Sequence, residues 1–481
     1  MKMLETLKPA AVWKYFEEIC GIPHISFHEK ELSDYCVQFA KDRGYYYEQD
    51  EYGNVIIIAE ATEGYEDAAP IILQGHLDMV GDKVPECPID METEPIQIKI
   101  DGDYVRAEGT TLGGDDGIAV AYALAILDSK DIPHPRLEVV LTISEEVGLI
   151  GANTVDLSSC TGRKLLHVDS DREGYLTVGC AGGVRVTSMI PIGKCVKKGI
   201  VCNVLVDGLR GGHSGMEIDK GRANANVLLG RVLEILREKM DAALVEIQGG
   251  VKENVIPKEA MAKILVSPDD VDKLSEVADE FHQMMRSEFG TADPDIALKI
   301  TAGAEAETEA LTCEAFAKVI TALNVLPNGI QAMSMDLPGL VETSLNLGVM
   351  SVEADKFVVH LSVRSSVPSA KQQVVKQISL LTKVLGGTVE LQGDYPGWEF
   401  VRDSEFREKC VEIFKAQYGY EPKVETIHAG LECGLFTAKV SGLDCISIGP
   451  DMLDIHTPME RVDIASVERV WEYIKAVIAA K

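Results

Sequence analysis

Residues 69–80, APIILQGHLDMV, hold an apolar run of strand length, Pro70 to Gln74, followed at once by His76 and Asp78. The run lacks the strict alternation of a half-exposed strand, as expected where helices cover both faces of a sheet. Outward from it, Asn54 to Ala59, Leu137 to Ile143 and Lys164 to Val168 repeat that texture. Between two of these runs, Asp116 to Leu127 is apolar all round, the mark of a buried helix. Residues 11–43 also read as helices, so the first part of the chain is α/β.

A chain of 481 residues exceeds what one core usually serves, and 46% hydrophobic with 26% charged residues is the composition of a globular protein. A formal charge of -31 argues against nucleic acid or an anionic membrane as partner, because the field repels phosphate. Eleven scattered cysteines without a Cys-x-x-Cys pair fit neither a disulfide framework nor a thiolate metal site, and point to a reducing compartment. The N-terminus has no apolar signal core and no run of about eighteen uncharged apolar residues follows, so the expected location is the cytoplasm.

After about residue 187 the texture changes, with a Gly-rich segment at Leu209 to Gly215 and a helix near Ala223 to Met240. A linker is expected at Gly393 to Trp398 (GDYPGW), followed by a helix, a strand and a terminal helix from Ser466. The domains expected are therefore 1–187 with 393–481, and 188–392 between them. No repeat of solenoid period is present.

Ionisable groups recur where the apolar runs end, which is where open α/β sheets place ligands. Asp78 follows His76 by two residues and can hold its imidazole in one tautomer. In GTTLGGDDGIAVA, Asp115 and Asp116 sit on a Gly-rich turn before the buried helix, where an isolated pair would read as an N-cap. In VVLTISEEVGLIGA, Glu145 and Glu146 directly follow an apolar strand; a solvated helix start is the ordinary reading, yet two carboxylates on a buried edge need a cation. Asp169 ends another apolar run, and His456 follows the strand Cys445 to Ile448. Imidazole and carboxylate together suit zinc, cobalt or manganese.

Taken together, HLDMV, GTTLGGDDG, SEEVGLIGA, GGHSGMEIDKGRANA, HAGLECGLF and IHTPMERV resemble the dizinc aminoacylase/carboxypeptidase superfamily, and within it the aminoacyl-histidine, or cytosol non-specific, dipeptidase branch. The resemblance runs through nearly the whole chain. It implies a mixed-sheet, zinc-exopeptidase-like α/β catalytic domain with an inserted α+β lid or dimerisation domain. It implies two zinc ions, with cobalt or manganese as substitutes: His76, Asp115 and Asp169 on one, Glu146, His456 and the shared Asp115 on the other. Gly114-Asp115-Asp116 stands where Ala-Asp-Asn or Ala-Asp-Asp is expected.

The implied reaction is hydrolysis of unblocked dipeptides, Xaa-His among the candidates, by a metal-bridged water between ions about 3.5–4 Å apart. Glu145 would be the general base, Asp78 the partner of His76, and His213 the oxyanion donor, often from a partner subunit, hence a homodimer through the lid. For the substrate's termini, Arg364 is the candidate carboxylate clamp, Glu432 the ammonium acceptor and Asn346 a hydrogen-bonding residue, with His428 divided between packing and substrate contact. A tripeptidase, carboxypeptidase or N-acyl amino acid deacylase is the nearest alternative, and a non-catalytic metal- or peptide-binding relative a further one.

Overall fold

A computed structural model describes residues 3–480. The chain forms two compact units, Met1–Cys180 with Trp398–Thr426 and Leu431–Lys481, and Ala181–Gly397 with Ile427–Gly430. The first is built on an eight-stranded mixed sheet. Its middle strands Leu137–Thr142, Ile71–His76, Lys164–His167 and Asp444–Ser447 are adjacent and mutually parallel. Their C-terminal ends therefore share one sheet edge, so residues far apart in sequence converge there.

The helix Gly114–Asp128 is buried from Asp116 to Leu127, in keeping with its all-round apolar sequence. Tyr122 stacks on Trp471 at 6.1 Å and donates to the carbonyl of Val467 at 3.0 Å, which ties this helix to Ile464–Ile478. Gly75 lets the helix close on the central strand, because a Cβ there would lie 2.5 Å from the Ala119 Cβ and 2.6 Å from an Asp116 oxygen.

The second unit is built on a nine-stranded sheet: two βαββαβ modules give eight strands, and Gly329–Met333 adds a ninth beside Val341–Glu353. The first module runs Lys194–Asp207, helix Ala225–Lys239, Ala242–Gly249, Ala260–Val266, helix Lys273–Phe289 and Ala297–Leu311. The second runs Gly182–Pro191, helix Cys313–Val325, Val341–Glu353, Lys356–Ser365, helix Pro368–Val384 and Thr388–Tyr395, with the first module inserted after its opening strand. In each, the first and third strands lie between the fourth and the second, and the two modules join second strand to second strand through Gln248↔Ser351 and Gly249↔Met350. Gly230 in the first module's leading helix admits Leu323 of the second's, where a Cβ would come within 2.5 Å.

These pairings move the domain boundaries. Gly182–Pro191 pairs with Lys356–Ser365 and Thr388–Tyr395, so the chain leaves the first unit at 180, before the expected 187. The expected linker at Gly393–Trp398 is corrected likewise: Gly393 to Tyr395 lie in an edge strand, and the boundary follows Gly397. Among the described residues no helix is long and apolar enough to cross a membrane, and the eleven cysteines are unbonded.

Candidate active site

His76 is buried at the end of its strand. Its Nδ1 lies 2.9 Å from the backbone carbonyl of Asp78 and 3.4 Å from Asp78 Oδ1. A carbonyl only accepts, so the hydrogen sits on Nδ1 and Nε2 is left to face Asp115 Oδ1 at 3.2 Å and Asp169 Oδ1 at 3.7 Å. The Asp78 carboxylate has a second task. Oδ1 accepts the Glu145 N–H at 2.9 Å, while Oδ2 accepts the Glu146 N–H at 3.3 Å and the Ser26 hydroxyl at 2.8 Å, which fixes the turn carrying both glutamates. Glu29 anchors the same turn from the other side, accepting the Ser144 N–H at 2.9 Å and hydroxyl at 2.6 Å. Ser144 needs such anchoring, because its φ of 49° is left-handed and costs about 1 kcal/mol or more for a residue with a Cβ.

Asp115 stands between the two imidazoles. Its Oδ1 faces His76 Nε2, and its Oδ2 faces His456 Nε2 at 3.0 Å. His456, held at φ 62°, also lies 2.8 Å from Glu146 Oε1. His76 with Asp169, and His456 with Glu146, thus flank one shared carboxylate. The peptide between Asp115 and Asp116 is cis. Asp116 does not cap the helix; its Oδ2 accepts the His76 backbone N–H at 3.0 Å, leaving Oδ1 buried without a partner. Gly114 departs from the expected alanine where a Cβ would come 2.4 Å from Val462.

Burial, reinforced by Asp169, Glu432 and Glu146, pushes the Glu145 carboxyl well above its ordinary range. Burial likewise lifts Asp169 to about 8 and Glu432 to about 7. His456 rises to about 11 through its bonds to Asp115 and Glu146; Asp115 is held well below the carboxylate range because the imidazoles outweigh its own burial. Among the described residues no lysine or arginine forms an ion pair with Asp78, Asp115, Glu145, Glu146 or Asp169, and three groups, His76 with Asp116 and Asp169, His76 with Glu145 and Glu146, and Asp115 with Glu146 and His456, bring ligand atoms within 4.8 Å of one another. A dense carboxylate set balanced only by imidazolium, with buried unpartnered oxygens on Asp116 and Glu432, fits divalent cations.

The metal-free protein therefore has a definite pH signature. The unfolded chain releases the Asp169 and Glu432 protons near pH 4, whereas the folded protein keeps them to about 8 and about 7, so stability falls as pH rises between these limits. Protonated His456 adds stability that is complete below about pH 6.5 and is lost as pH climbs towards about 11, the same direction. Below about pH 6.5 the depressed pKa of His428 works the other way, so calorimetry of chelator-treated protein is expected to show Tm declining from pH 6.5 to 8, with a divalent cation removing most of the decline. A flat or rising Tm would contradict these environments.

In the second unit, Gly211 (φ 64°) and Gly212 (φ 140°) present His213 from a tight turn. The Gly215 and Met216 N–H groups donate to His213 Nδ1 at 3.2 and 3.0 Å, which places the neutral ring's hydrogen on Nε2. Burial and the Arg364 charge lower its pKa, keeping it neutral. Arg364 has no carboxylate partner among the described residues, its Nε is buried and unpartnered, and its Nη1 reaches the Tyr395 hydroxyl at 3.4 Å. His428 bonds Ser344 Oγ at 2.7 Å, and burial with Arg364 lowers it to about 4.

Asn346 requires a correction. It is 1% exposed, and its amide donates both hydrogens to the Glu253 and Val255 carbonyls at 2.8 Å while accepting from Asn224 at 3.1 Å, so no donor remains for a substrate. Glu432 is fully buried in the first unit; its Oε2 accepts from Gln74 at 2.6 Å and Thr142 at 2.8 Å. Sequence reasoning missed Glu29, Gln74 and His167, whose Nε2 lies 3.3 Å from Asp169 Oδ2. Only His167, two residues before Asp169 on the same strand face, left a signal.

A parallel-strand edge gathering imidazoles and carboxylates, with a separate two-module sheet, defines the exopeptidase-like architecture of the M20 peptidases, and the family model described as the peptidase dimerisation domain matches residues 206–293. The cytosol non-specific dipeptidase of Escherichia coli (strain K12) is 39% identical over 473 residues, 98% of this chain and 97% of that protein. Aminoacylhistidine dipeptidase from Vibrio alginolyticus, a crystal structure, superimposes with a TM-score of 0.94 at 38% identity, covering 99% of this chain and 98% of that one. The chain belongs to the family of cytosol non-specific, or aminoacylhistidine, dipeptidases. Aminopeptidase PepT from Bacillus cereus shares the fold, with a TM-score of 0.57 at 16% identity over 98% of both chains.

Proposed function

We propose that the protein hydrolyses unblocked dipeptides, Xaa-His among them, at a pair of divalent cations, zinc in the first instance. The observation that carries this reading is the place of Asp115 between the two imidazoles, one oxygen towards each. His76, Asp115 and Asp169 would hold one ion, and Glu146, His456 and the same Asp115 the other. When bound, the cations polarise the scissile carbonyl and make a water nucleophilic near neutral pH.

The chain's own residues do the rest. Glu145, carried on the turn that Asp78 and Glu29 fix, takes the proton of the attacking water and passes it to the leaving amine nitrogen. Its raised pKa suits a group that must both accept and release a proton near neutrality. His213 donates its Nε2 hydrogen to the oxygen that gains charge. Arg364, without a carboxylate partner among the described residues, would clamp the substrate's carboxylate, and Glu432 Oε1 would receive the ammonium.

The relative named as cytosolic, the eleven unbonded cysteines and the absence of a membrane-spanning helix among the described residues support a cytoplasmic location. The match to a peptidase dimerisation domain supports a homodimer.

Rates on free dipeptides against N-acetylated and tripeptide analogues, with zinc, cobalt or manganese added to chelated enzyme, test the reading. A preference for acylated amino acids would turn it into a deacylase, and no turnover of any of them would reject it. His213→Ala is expected to lower kcat by about 10²-fold while cation content stays at the wild-type level. Lost cations in that variant would make His213 a ligand. Mixing His213→Ala with Glu145→Ala protein decides whose imidazole serves: recovered activity means that a second copy supplies it.

A further inference from the structure

We propose that Glu460 is a positioning residue that sets the distance between Asp115 and His456, and so the geometry of the shared cation site; this rests on the reading that these side chains hold divalent cations. Glu460 is 2% exposed, and its carboxylate collects four successive backbone N–H groups. Oε2 accepts from Leu112 at 2.8 Å and Gly113 at 3.1 Å; Oε1 accepts from Gly114 at 2.8 Å and Asp115 at 3.4 Å. These N–H groups precede or open the buried helix, where no residue of the helix can satisfy them and where negative charge is favoured. No lysine or arginine forms an ion pair with Glu460 among the described residues, so its burial is compensated by this turn of backbone.

The other end of the link is rigid. Within the loop, Thr457 Oγ1 donates to the Asp454 carbonyl at 2.7 Å, Met459 N–H donates to Thr457 Oγ1 at 3.1 Å and Glu460 N–H to the Thr457 carbonyl at 3.0 Å. His456 sits inside this knot at φ 62°. Pairing of Arg461–Asp463 with Tyr104–Ala107 holds the strand beyond the loop, and Glu460 holds the loop itself against the turn of Asp115. A Cβ at Gly114 would stand 3.2 Å from Glu460 Oε1, which shows how closely the carboxylate lies on this turn. A shift of the carboxylate therefore moves the Asp115 backbone relative to the His456 imidazole.

Glu460→Gln replaces one acceptor oxygen by an NH₂ group aimed at two N–H donors. Titration calorimetry of metal-free protein with Co²⁺ is expected to show affinity falling about 10–100-fold, the range for loss of a group that orients a metal ligand. The visible absorption of the cobalt-loaded protein should change, and excess cation should recover part of kcat. Glu138→Gln is the control: that carboxylate is also buried and accepts the Thr161 and Gly162 N–H groups at 2.9 Å, but from the far end of the strand Leu137–Thr142. It should lower Tm with cation affinity and cobalt spectrum unchanged. Wild-type affinity and spectrum in Glu460→Gln, or an equal affinity loss in Glu138→Gln at matched Tm, would overturn the inference. Wild-type protein that takes up no cation at all would instead overturn the functional reading beneath it.

Discussion

Glu145→Ala is expected to keep its full complement of cations and to lose about 10²–10⁴-fold or more in kcat, with KM for a dipeptide little changed. Proton transfer by a placed carboxylate contributes on that scale, and nothing nearby can replace it. Glu146 is committed to His456 at 2.8 Å, Asp78 to the N–H groups of both glutamates, and Asp115 to two imidazoles. Because Glu145 also lies within ligand distance of His76 and Glu146, metal analysis must accompany the kinetics. Retained activity would reject the base assignment, and lost cations would make Glu145 a ligand.

Asp115→Asn should do the reverse, removing a cation first and activity as a consequence. The amide keeps one acceptor oxygen and turns an NH₂ group towards the other imidazole, so one of the two positions loses its carboxylate. Elemental analysis is expected to show at least one cation equivalent missing after dialysis, with kcat down by orders of magnitude and recovered little by added substrate. In the metal-free variant the His456 pKa should fall from about 11 towards its ordinary value, since Asp115 contributes most to raising it. Two retained cations with near-normal turnover would remove Asp115 from the bridging role.

Much of the site could be read in the sequence because its side chains sit where apolar runs stop. Leu137 to Ile143 leads into Glu145 and Glu146, and Lys164 to Val168 into Asp169. The parallel order of those strands then delivers their ends to one edge. Asn346 is the exception: the segment ETSLNLG offers it as a substrate contact, but it joins backbone carbonyls and Asn224 inside the second unit. The paired βαββαβ modules also escaped notice, because the first is inserted after the opening strand of the second and the duplication lies in strand order rather than in residue identity.

Local patterning by itself determined that this chain is α/β, which runs become central strands, and which imidazoles and carboxylates stand at their ends. Burial of apolar runs is written residue by residue, so these features survive in a bare sequence. Tertiary structure alone decided that Asp78 and Glu29 hold the glutamate turn, that Glu460 clasps the turn of Asp115, and where the two units divide. In the first two cases a carboxylate meets backbone N–H groups far away in the chain. Nearly every residue carries the same N–H, so its partner leaves no trace in the sequence.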